Sequence, residues 1–357
     1  MAKAKASDGP IFRLPPYKVE AVMAARAQVV DWGLTAVGIP NFWKTTRGAG
    51  VRVALLDTGI AMNHPDLKDA ILDGKDFTRS ASGWGDVQGH GTHTAGTIAA
   101  RDNATGCVGV APEAKLLVGK VLGDNGSGSS AGVAAGILWA IDQKADLISM
   151  SLGSPQPDPR IKDAVEAALK AGIYVIAAAG NEGPSLDTIG YPAGFDGVVS
   201  VGAIDPNRRP AQFSSRGRRL DIMAPGTDIV SCWPPNGLAR LSGTSMATPF
   251  VAGVVALILA KHKQFAGDTP VDTPADLVDH LHKTAVDLDA PGFDMNTGWG
   301  LIDPEKLLAL VPDGPPPVPP VPGDGSSLVF SPDDLTPAGR AKLAVLAGVS
   351  QVTVRLR

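Results

Sequence analysis

Three side chains in this sequence could together perform nucleophilic catalysis: Asp57, His90 and Ser245. A serine hydroxyl is a weak nucleophile near neutral pH, so it needs a base within hydrogen-bond reach. An imidazole can be that base, and a carboxylate can fix its tautomer and stabilise the imidazolium that forms. The chemistry that these three types predict is transfer of an acyl group to Ser245, followed by hydrolysis with water.

Each of these residues also has a plainer interpretation. Asp57 follows the apolar run VRVALL, where active groups of open α/β sheets gather, but it could simply cap a loop. His90 begins a small-residue run in GHGTHTAG; His90 and His93 could be metal ligands, although the pair lacks the glutamate of the HExxH zinc motif. Ser245, in GTSMATP, precedes an apolar helix whose free N–H groups favour developing negative charge, but it could be an ordinary N-cap.

The residues between these motifs predict the fold that must position them. Short apolar runs alternate with amphipathic stretches such as AGVAAGILWAIDQ and PRIKDAVEAALKAG. The apolar runs are VRVALLD (51–57), KLLVGKVL (115–122), DLISMS (146–151), IYVIAAA (173–179) and GVVSVGA (197–203). Strands that are apolar on both faces and separated by helices are typical of a parallel sheet covered on both sides. We therefore predict a doubly wound α/β domain, with a mostly parallel sheet and helices on both faces.

Proline-rich segments mark both ends of this domain. Residues 1–27 include IFRLPPY, in which Pro15 and Pro16 exclude a regular helix or central strand, so we predict a short, extended N-terminal arm that docks on the body. Residues 28–311 would form the catalytic domain. Seven prolines predict a semi-rigid spacer at 312–324. Residues 325–357 predict strand, helix, strand: a small C-terminal module or tail, too short for an independent core. It would dock on its own body or on a second subunit, or be disordered.

Composition excludes several functional classes. With 44% hydrophobic and 19% charged residues and a net charge of −4, the chain is a folded protein rather than a disordered one. No basic cluster suits nucleic acid, and the longest apolar run, 250–260, is too short for a membrane span. MAKAKASDGP leads into no apolar segment, and two cysteines allow at most one disulfide. These features predict a cytoplasmic location, with secretion as the alternative if a signal has been removed.

Several motifs, in order, resemble those of the subtilisin-like serine protease family, the subtilases. They are VALLDTGI, GHGTHTAGTIAA, MSLGS, AAAGNEG and GTSMATPFVAGVVALIL, which together cover about residues 40–310. The resemblance implies a subtilisin-like fold, a triad of Asp57, His90 and Ser245, and serine endopeptidase activity. It also implies that the Asn181 side chain and the Ser245 N–H hold the oxyanion of the tetrahedral intermediate. Asn181 could alternatively be an ordinary loop residue.

The same resemblance implies a substrate groove with broad specificity. Peptides would pair as strands beside 126–128 and 151–153, a mode that recognises main chain first. The residue before the scissile bond (the P1 residue) would bind in a pocket, S1, that is lined by small residues and therefore admits a large apolar side chain. Glu182 at the rim of this pocket could also accept a basic P1 side chain. Ser130 stands where many relatives carry an aromatic residue, which would open the S4 pocket. The predicted substrate-binding residues are Gly126, Ser127, Gly128, Ser151, Leu152, Gly153, Ala178, Ala179, Gly180, Glu182 and Gly190.

Calcium is the cofactor that the resemblance implies. The matching segments are NHPDL, which contains Asp66, and RDNATGC at 101–107. The side chains of Asp66 and Asn103 and the carbonyls of Arg101, Thr105 and Cys107 would supply the oxygens that this hard cation needs. An ordinary polar turn is the alternative, and the sequence identifies no ligand from the N-terminal region.

The segment RLPPY at 13–17 resembles the N-terminal extension of intracellular subtilisins, with Pro15 replacing an aliphatic residue. That branch implies self-inhibition by an arm that presents Leu14, Pro15, Pro16 and Tyr17 near Ser245, because proline has no N–H and a fixed φ. The alternative is an arm that merely packs on the surface. The expected partners are peptide and protein substrates, the arm itself and, as is typical of that branch, a second copy in a homodimer. A catalytically silent peptide-binding module on the same fold is the alternative function.

Overall fold

The structure is a computed structural model that describes residues 9–24, 27–263 and 271–309. The predicted spacer at 312–324 and the predicted module at 325–357 lie outside the described residues. In chain order the elements are β1 (Ile11–Arg13), β2 (Lys18–Ala24), α1 (Trp32–Ala36), α2 (Ile39–Phe42), β3 (Arg52–Asp57), β4 (Ile71–Asp76), α3 (His90–Ala99), β5 (Lys115–Lys120), β6 (Ser127–Ser129), α4 (Ser130–Asp142), β7 (Leu147–Met150), α5 (Pro159–Lys170), β8 (Tyr174–Ala178), β9 (Val199–Ile204), β10 (Ile222–Pro225), β11 (Ile229–Trp233), β12 (Gly237–Ser242), α6 (Thr244–His262), α7 (Pro274–Thr284) and α8 (Pro304–Ala309).

A seven-stranded parallel sheet forms the centre of the protein, as the sequence predicts. Its strand order is β10-β9-β8-β7-β3-β5-β4, and every neighbouring pair runs parallel. The sheet extends in both directions from β3, so the winding of the chain reverses there. Ligands of open α/β sheets bind at the carboxyl ends of strands next to such a reversal, and Asp57 is the last residue of β3.

Helices cover both faces of this sheet. Successive residues of a strand point to opposite faces. Val53 and Leu55 accordingly pack in one apolar cluster with residues of α3 and α6, whereas Ala54 and Leu56 pack in a second with residues of α4 and α5. Helix α6 is long and apolar enough to cross a membrane, but its apolar window is wholly buried inside the protein. Core burial therefore accounts for its composition.

The N-terminal segment forms two short strands that pair with the body. β1 pairs antiparallel with β6. β2 pairs antiparallel with β12, which also pairs with β11, so that β11, β12 and β2 form a second sheet. Pro15 and Pro16 lie between β1 and β2, where a missing N–H interrupts no sheet ladder. The N-terminal segment thus continues into a strand, β2, that the sequence analysis did not identify.

Candidate active site

Asp57 and His90 meet at the carboxyl edge of the main sheet. β3 ends at Asp57, and α3 begins at His90 directly after Gly89, whose φ of 100° favours glycine. His90 Nδ1 lies 2.8 and 3.1 Å from the two carboxylate oxygens of Asp57, with both side chains buried. Asp57 also accepts the Thr58 N–H at 2.7 Å and the Thr94 hydroxyl at 3.2 Å. The carboxylate is thus held in place and orients the imidazole through Nδ1.

Asp86 anchors the start of α3, although the sequence analysis did not single it out. Its Oδ1 accepts the N–H groups of Gln88 and Gly89 at 3.1 and 2.8 Å and the Thr58 hydroxyl at 3.0 Å. Its Oδ2 accepts the N–H and the hydroxyl of Thr92 at 2.8 and 2.6 Å. A carboxylate placed here satisfies free N–H groups and complements the positive end of the helix. The signal in the sequence is an acidic residue in the turn just before a predicted helix.

Ser245 is the second residue of α6 and is buried. Pro249 lies four residues later and has no N–H, so the Ser245 carbonyl lacks its helical hydrogen-bond partner. The hydroxyl of Ser151 donates to that carbonyl instead, at 2.9 Å. Ser245 Oγ and His90 Nε2 are both buried and have no hydrogen-bond partner among the described residues. The hydroxyl and the ring nitrogen that would exchange a proton are therefore both uncommitted.

The Asn181 side chain is fixed by Thr244, the residue before Ser245. Asn181 Oδ1 accepts the N–H of Thr244 at 2.9 Å and its hydroxyl at 2.8 Å. This leaves Asn181 Nδ2 free to donate outward, and it donates to the carbonyl of Pro16 at 2.6 Å. An amide donor held beside a serine at a helix N-terminus is the arrangement that stabilises an oxyanion in acyl transfer.

The N-terminal arm lies along both edges of the predicted substrate groove. Arg13 and Gly153 exchange two backbone hydrogen bonds, at 2.9 and 2.8 Å. Leu14 donates its N–H to the Gly126 carbonyl at 3.1 Å, on the other side of the groove. Residues 11–13 pair with β6, which follows Gly126. The main chain of the arm is thus bound as an added strand between two segments of the body.

Two aromatic side chains of the arm, Phe12 and Tyr17, contact the body. Phe12 is 0% exposed and belongs to the apolar cluster that contains Leu122 and Leu152. The sequence analysis noted the apolar patch but did not single out Phe12. Tyr17 lies over His90 with ring centroids 5.0 Å apart, and its hydroxyl contacts Gln88. Burial raises the pKa of Tyr17. Phe12 therefore anchors the arm, and Tyr17 covers the catalytic histidine candidate.

A cavity of about 890 Å³ opens beside the arm. Of the predicted P1 pocket residues, those that line it are Gly153, Ala178, Ala179, Gly180, Glu182 and Gly190. Leu152 is fully buried in the core and does not line this cavity. Ser127 and Gly128 lie in β6, opposite the arm. Ser130 is buried, and its hydroxyl accepts a hydrogen bond from Arg160 at 2.8 Å.

The segment 101–107 wraps around the Asp66 carboxylate. Asp66 Oδ1 accepts the Asn103 amide at 3.0 Å, and Oδ2 accepts the Cys107 N–H at 3.0 Å. The Gln28 side chain, which the sequence analysis did not identify, accepts the Ala104 N–H through Oε1 at 2.8 Å. Gln28 brings an amide oxygen from the N-terminal region to this loop.

Backbone carbonyls of the same segment alternate in their hydrogen bonding. The carbonyls of Ala104 and Gly106 accept the N–H groups of Gln28 and Val29. Within the described part of the chain, the three carbonyls predicted as ligands accept no backbone hydrogen bond: those of Arg101, Thr105 and Cys107. The guanidinium group of Arg101 contacts the carbonyls of Pro112 and Asp69 rather than the Asp66 carboxylate. A set of oxygen donors without a competing cation fits a hard divalent ion.

Comparison with known proteins finds both a family and individual relatives. The model of the Subtilase family (Peptidase_S8) matches residues 48–300. The chain is similar to "Intracellular serine protease" of Paenibacillus polymyxa, 49% identical over 250 residues, which are 68% of this chain and 76% of that protein. It is similar to "Subtilisin DY" of Bacillus licheniformis, 44% identical over 282 residues, or 78% and 98% of the two chains. It is also similar to "Major intracellular serine protease" of Bacillus subtilis (strain 168), 46% identical over 235 residues, or 63% and 74%.

Proposed function

The chain belongs to the subtilase family and is a subtilisin-like serine endopeptidase, and we propose that Asp57, His90, Ser245 and Asn181 carry its catalysis. Ser245 attacks the peptide carbonyl while His90 takes the hydroxyl proton and later gives it to the leaving amine. Asp57 orients the imidazole, and the Asn181 amide with the Ser245 N–H binds the oxyanion. The observation that carries this proposal is the 2.8 Å contact between His90 Nδ1 and Asp57 beside the Asn181 donor.

A fluorophosphonate reagent tests the assignment, because it labels an activated serine and no other hydroxyl. We expect one label per chain, on Ser245, in the protein that lacks residues 1–18, because its groove is free of the arm. In that protein Ser245→Ala should abolish labelling, and Ser185→Ala, which changes an exposed serine, should leave it intact. Labelling of the Ser245→Ala variant, or no labelling of the folded truncated protein, would reject the assignment.

We propose that the arm inhibits the enzyme as a zymogen extension through Leu14, Pro15, Pro16 and Tyr17. Support comes from strand pairing that runs through residues 11–14 as it would for a substrate. The pairing ends at Pro15 and Pro16, which have no N–H to hold the following carbonyl in register. The Asn181 donor meets a proline carbonyl, and Tyr17 covers His90. Such an arm occupies the groove and resists cleavage.

Truncation tests this inhibition. Deleting residues 1–18 should raise peptidase activity, since it removes every contact of the arm with the groove. Deleting residues 1–8 is the matched control, because it leaves β1 and Tyr17 in place, and it should leave activity low. Equal activity of the full-length and the 1–18-deleted proteins, at equal folded fraction, would refute inhibition.

We propose broad specificity with a preference for large P1 residues. The supporting observation is that the small residues Ala178, Gly180 and Gly190 line the cavity on the side of the body, opposite the arm. Peptides with large apolar P1 residues should have higher kcat/KM than those with glycine or alanine. Glu182→Gln should lower kcat/KM for a basic P1 by no more than about fivefold, since a solvated rim carboxylate contributes only about 0–1 kcal/mol. A preference for small P1 residues would contradict the proposal.

We propose Ca²⁺ as the cofactor of the 101–107 loop. The side chains of Asp66 and Asn103, the carbonyls of Arg101, Thr105 and Cys107, and the Gln28 amide oxygen would hold the ion. It would supply charge and coordination that fix the loop and stabilise the folded state. Calcium should raise Tm and a chelator should lower it. Asp66→Asn should remove this response, whereas Asp69→Asn, at an exposed carboxylate, should preserve it. An identical Tm with and without calcium would contradict the proposal.

We propose an intracellular location, supported by two relatives whose names describe intracellular proteases. Cell fractionation of the native host tests it.

We also propose that residues 1–27 are the inhibitory extension, 28–311 the catalytic domain, 312–324 a linker and 325–357 a small module. For assembly we propose a homodimer, which sedimentation of the full chain tests. Sedimentation of the chain without residues 325–357 tests whether the proposed module contributes to the dimer.

A further inference from the structure

A lysine side chain is buried between the turn that carries Asp57 and one edge of the groove. Lys120 is the last residue of β5, and its side chain is 0% exposed although it ends in an ammonium group. Removing a charge from water is costly unless polar or charged partners replace the water. The ammonium group has two such partners, the Thr58 carbonyl and, 2.9 Å away, a carboxylate oxygen of Asp124. The proposed catalysis does not use this buried charge.

Thr58, the first partner, belongs to a turn that is held on several sides. Its N–H donates to Asp57 Oδ1 at 2.7 Å, and its hydroxyl accepts the Gly91 N–H, at the start of α3, at 2.9 Å. The Asp57 carbonyl accepts the N–H groups of the two residues that follow Lys120, at 3.0 and 3.1 Å. The turn is therefore a fixed anchor for the ammonium group and does not depend on it alone.

Asp124, the second partner, lies in the loop that forms the edge of the groove. The Gly126 N–H donates to the Gly123 carbonyl at 2.8 Å, which makes this loop a tight turn. The Asp124 carboxylate also accepts the Ser80 hydroxyl at 2.9 Å. Its hydrogen bond with Lys120 lowers the pKa of Asp124, so the carboxylate stays ionised at neutral pH. Lys120 thus joins the edge of the groove to the turn that carries Asp57.

The same loop presents a carbonyl that pairs with the arm. The Gly126 carbonyl accepts the Leu14 N–H at 3.1 Å. Asn181 Nδ2 donates to the Pro16 carbonyl, so Leu14 stands at the third residue before the position of the scissile bond (P3). A substrate of the proposed enzyme would pair at Gly126 through the N–H of its own P3 residue.

We propose that Lys120 is a positioning residue that fixes the Gly126 carbonyl relative to the catalytic groups. The inference rests on the proposed function, because the strand that pairs at Gly126 is the peptide substrate. An acceptor that is already in place spares the substrate the cost of ordering the loop. Lys120 therefore acts on substrates long enough to reach Gly126, and it acts through Asp124.

Substrate length tests this role, in the protein that lacks residues 1–18. Lys120→Met removes the charge and keeps most of the side-chain volume. For a peptide amide with four residues before the scissile bond, kcat/KM should fall about 3- to 10-fold, mainly through KM, as expected for the loss of about one hydrogen bond. For an ester of a single blocked amino acid, which cannot reach Gly126, kcat/KM should stay within about twofold. Lys162→Met, at an exposed lysine paired with Glu166, is the matched control and should change neither value.

Asp124→Ala repeats the test from the exposed end of the pair, should the buried substitution unfold the chain. It should give the same selective loss on the long substrate. The double variant Lys120→Met/Asp124→Ala should lose no more than Lys120→Met alone, because both changes break one connection. Equal losses on the long and short substrates, or no loss on the long one in folded variants, would overturn the positioning role. A parent that hydrolyses neither substrate and takes no fluorophosphonate label would instead reject the proposed function, and this inference would fall with it.

Discussion

Phe12→Ala in the full-length, untrimmed chain should raise peptidase activity strongly. Phe12 is 0% exposed, and it is the only residue of β1 that is buried. Truncating a buried phenylalanine to alanine in a packed site costs about 3–5 kcal/mol. The substitution would destabilise the docked state by nearly all of this free energy and leave the undocked state almost unchanged, because the side chain packs on the body only when the arm is docked. Since each 1.4 kcal/mol is a factor of ten, the undocked fraction should rise at least about 100-fold, up to full release.

The assay is the initial rate of hydrolysis of a small peptide, with mass spectrometry confirming that the arm is still attached. Ile11→Ala is the matched control, because Ile11 is the neighbouring residue of the same strand and is 54% exposed. An exposed substitution of this kind changes stability by about 0.5 kcal/mol or less, so the rate should change by no more than about twofold. The protein that lacks residues 1–18 gives the rate without any arm.

Two results would refute this reasoning. If folded, uncut Phe12→Ala and Ile11→Ala proteins had equally low rates, burial of Phe12 would not hold the arm in the groove. If all full-length proteins were as active as the truncated one, the arm would not inhibit at all. The first result would leave the backbone pairing of Arg13 and Leu14 as the source of arm affinity.

Three further predictions follow from single contacts. Asn181→Ala should lower kcat on a peptide substrate by about 10²–10³, the magnitude measured for an oxyanion donor in subtilisin itself, and an unchanged kcat would reject its role. Ser151→Ala should leave the buried Ser245 carbonyl without its partner and lower the free energy of unfolding by about 1–3 kcal/mol; urea denaturation in a Ser245→Ala background measures it, and no change would contradict the contact's importance. Burial raises the pKa of Asp31 to about 6, so the folded state binds this proton more tightly than the unfolded chain does. The contribution of Asp31 to stability should therefore be lost as pH rises from about 4 to about 6. The Tm of the Asp31→Asn variant should accordingly change less with pH in this range than the Tm of the wild type. Parallel curves of Tm against pH for the two proteins would contradict this prediction.

The sequence predicts the central sheet closely, because an apolar run within each strand's own residues is enough to identify the strand. The runs at 51–57, 115–122 and 173–179 correspond to β3, β5 and β8 within about two residues at either end. Strands buried on both faces are almost wholly apolar, and this pattern separates them from the amphipathic helix α5. Helix α4 is itself largely apolar, and its greater length distinguishes it from the strands. Because such strands are parallel, their carboxyl ends share one edge, which is why the sequence could place Asp57 at that edge.

Elements that depend on distant partners could not be predicted in the same way. β2 is largely exposed, and it is held by pairing with β12, more than 200 positions along the chain. β4, with the sequence ILDGKD, is a polar edge strand that carries no apolar run. Thr244 likewise acts on Asn181 through contacts that only the fold creates. The contact between the free thiols of Cys107 and Cys232, 3.4 Å apart, is a further case, since two cysteines in a sequence permit a meeting but do not require one.

The segment that follows β7 links the nucleophile to the groove. The hydroxyl of Ser151 supports the Ser245 carbonyl, and two residues later Gly153 exchanges both backbone hydrogen bonds with Arg13. A docked arm thus uses the pairing positions that are proposed for a substrate. The 2.8 Å contact between Asp57 and His90 is present while the arm lies in the groove. The proposed inhibition therefore acts by occupancy of the groove and leaves the Asp57–His90 pair intact, so removal of the arm should restore activity without rearrangement of that pair.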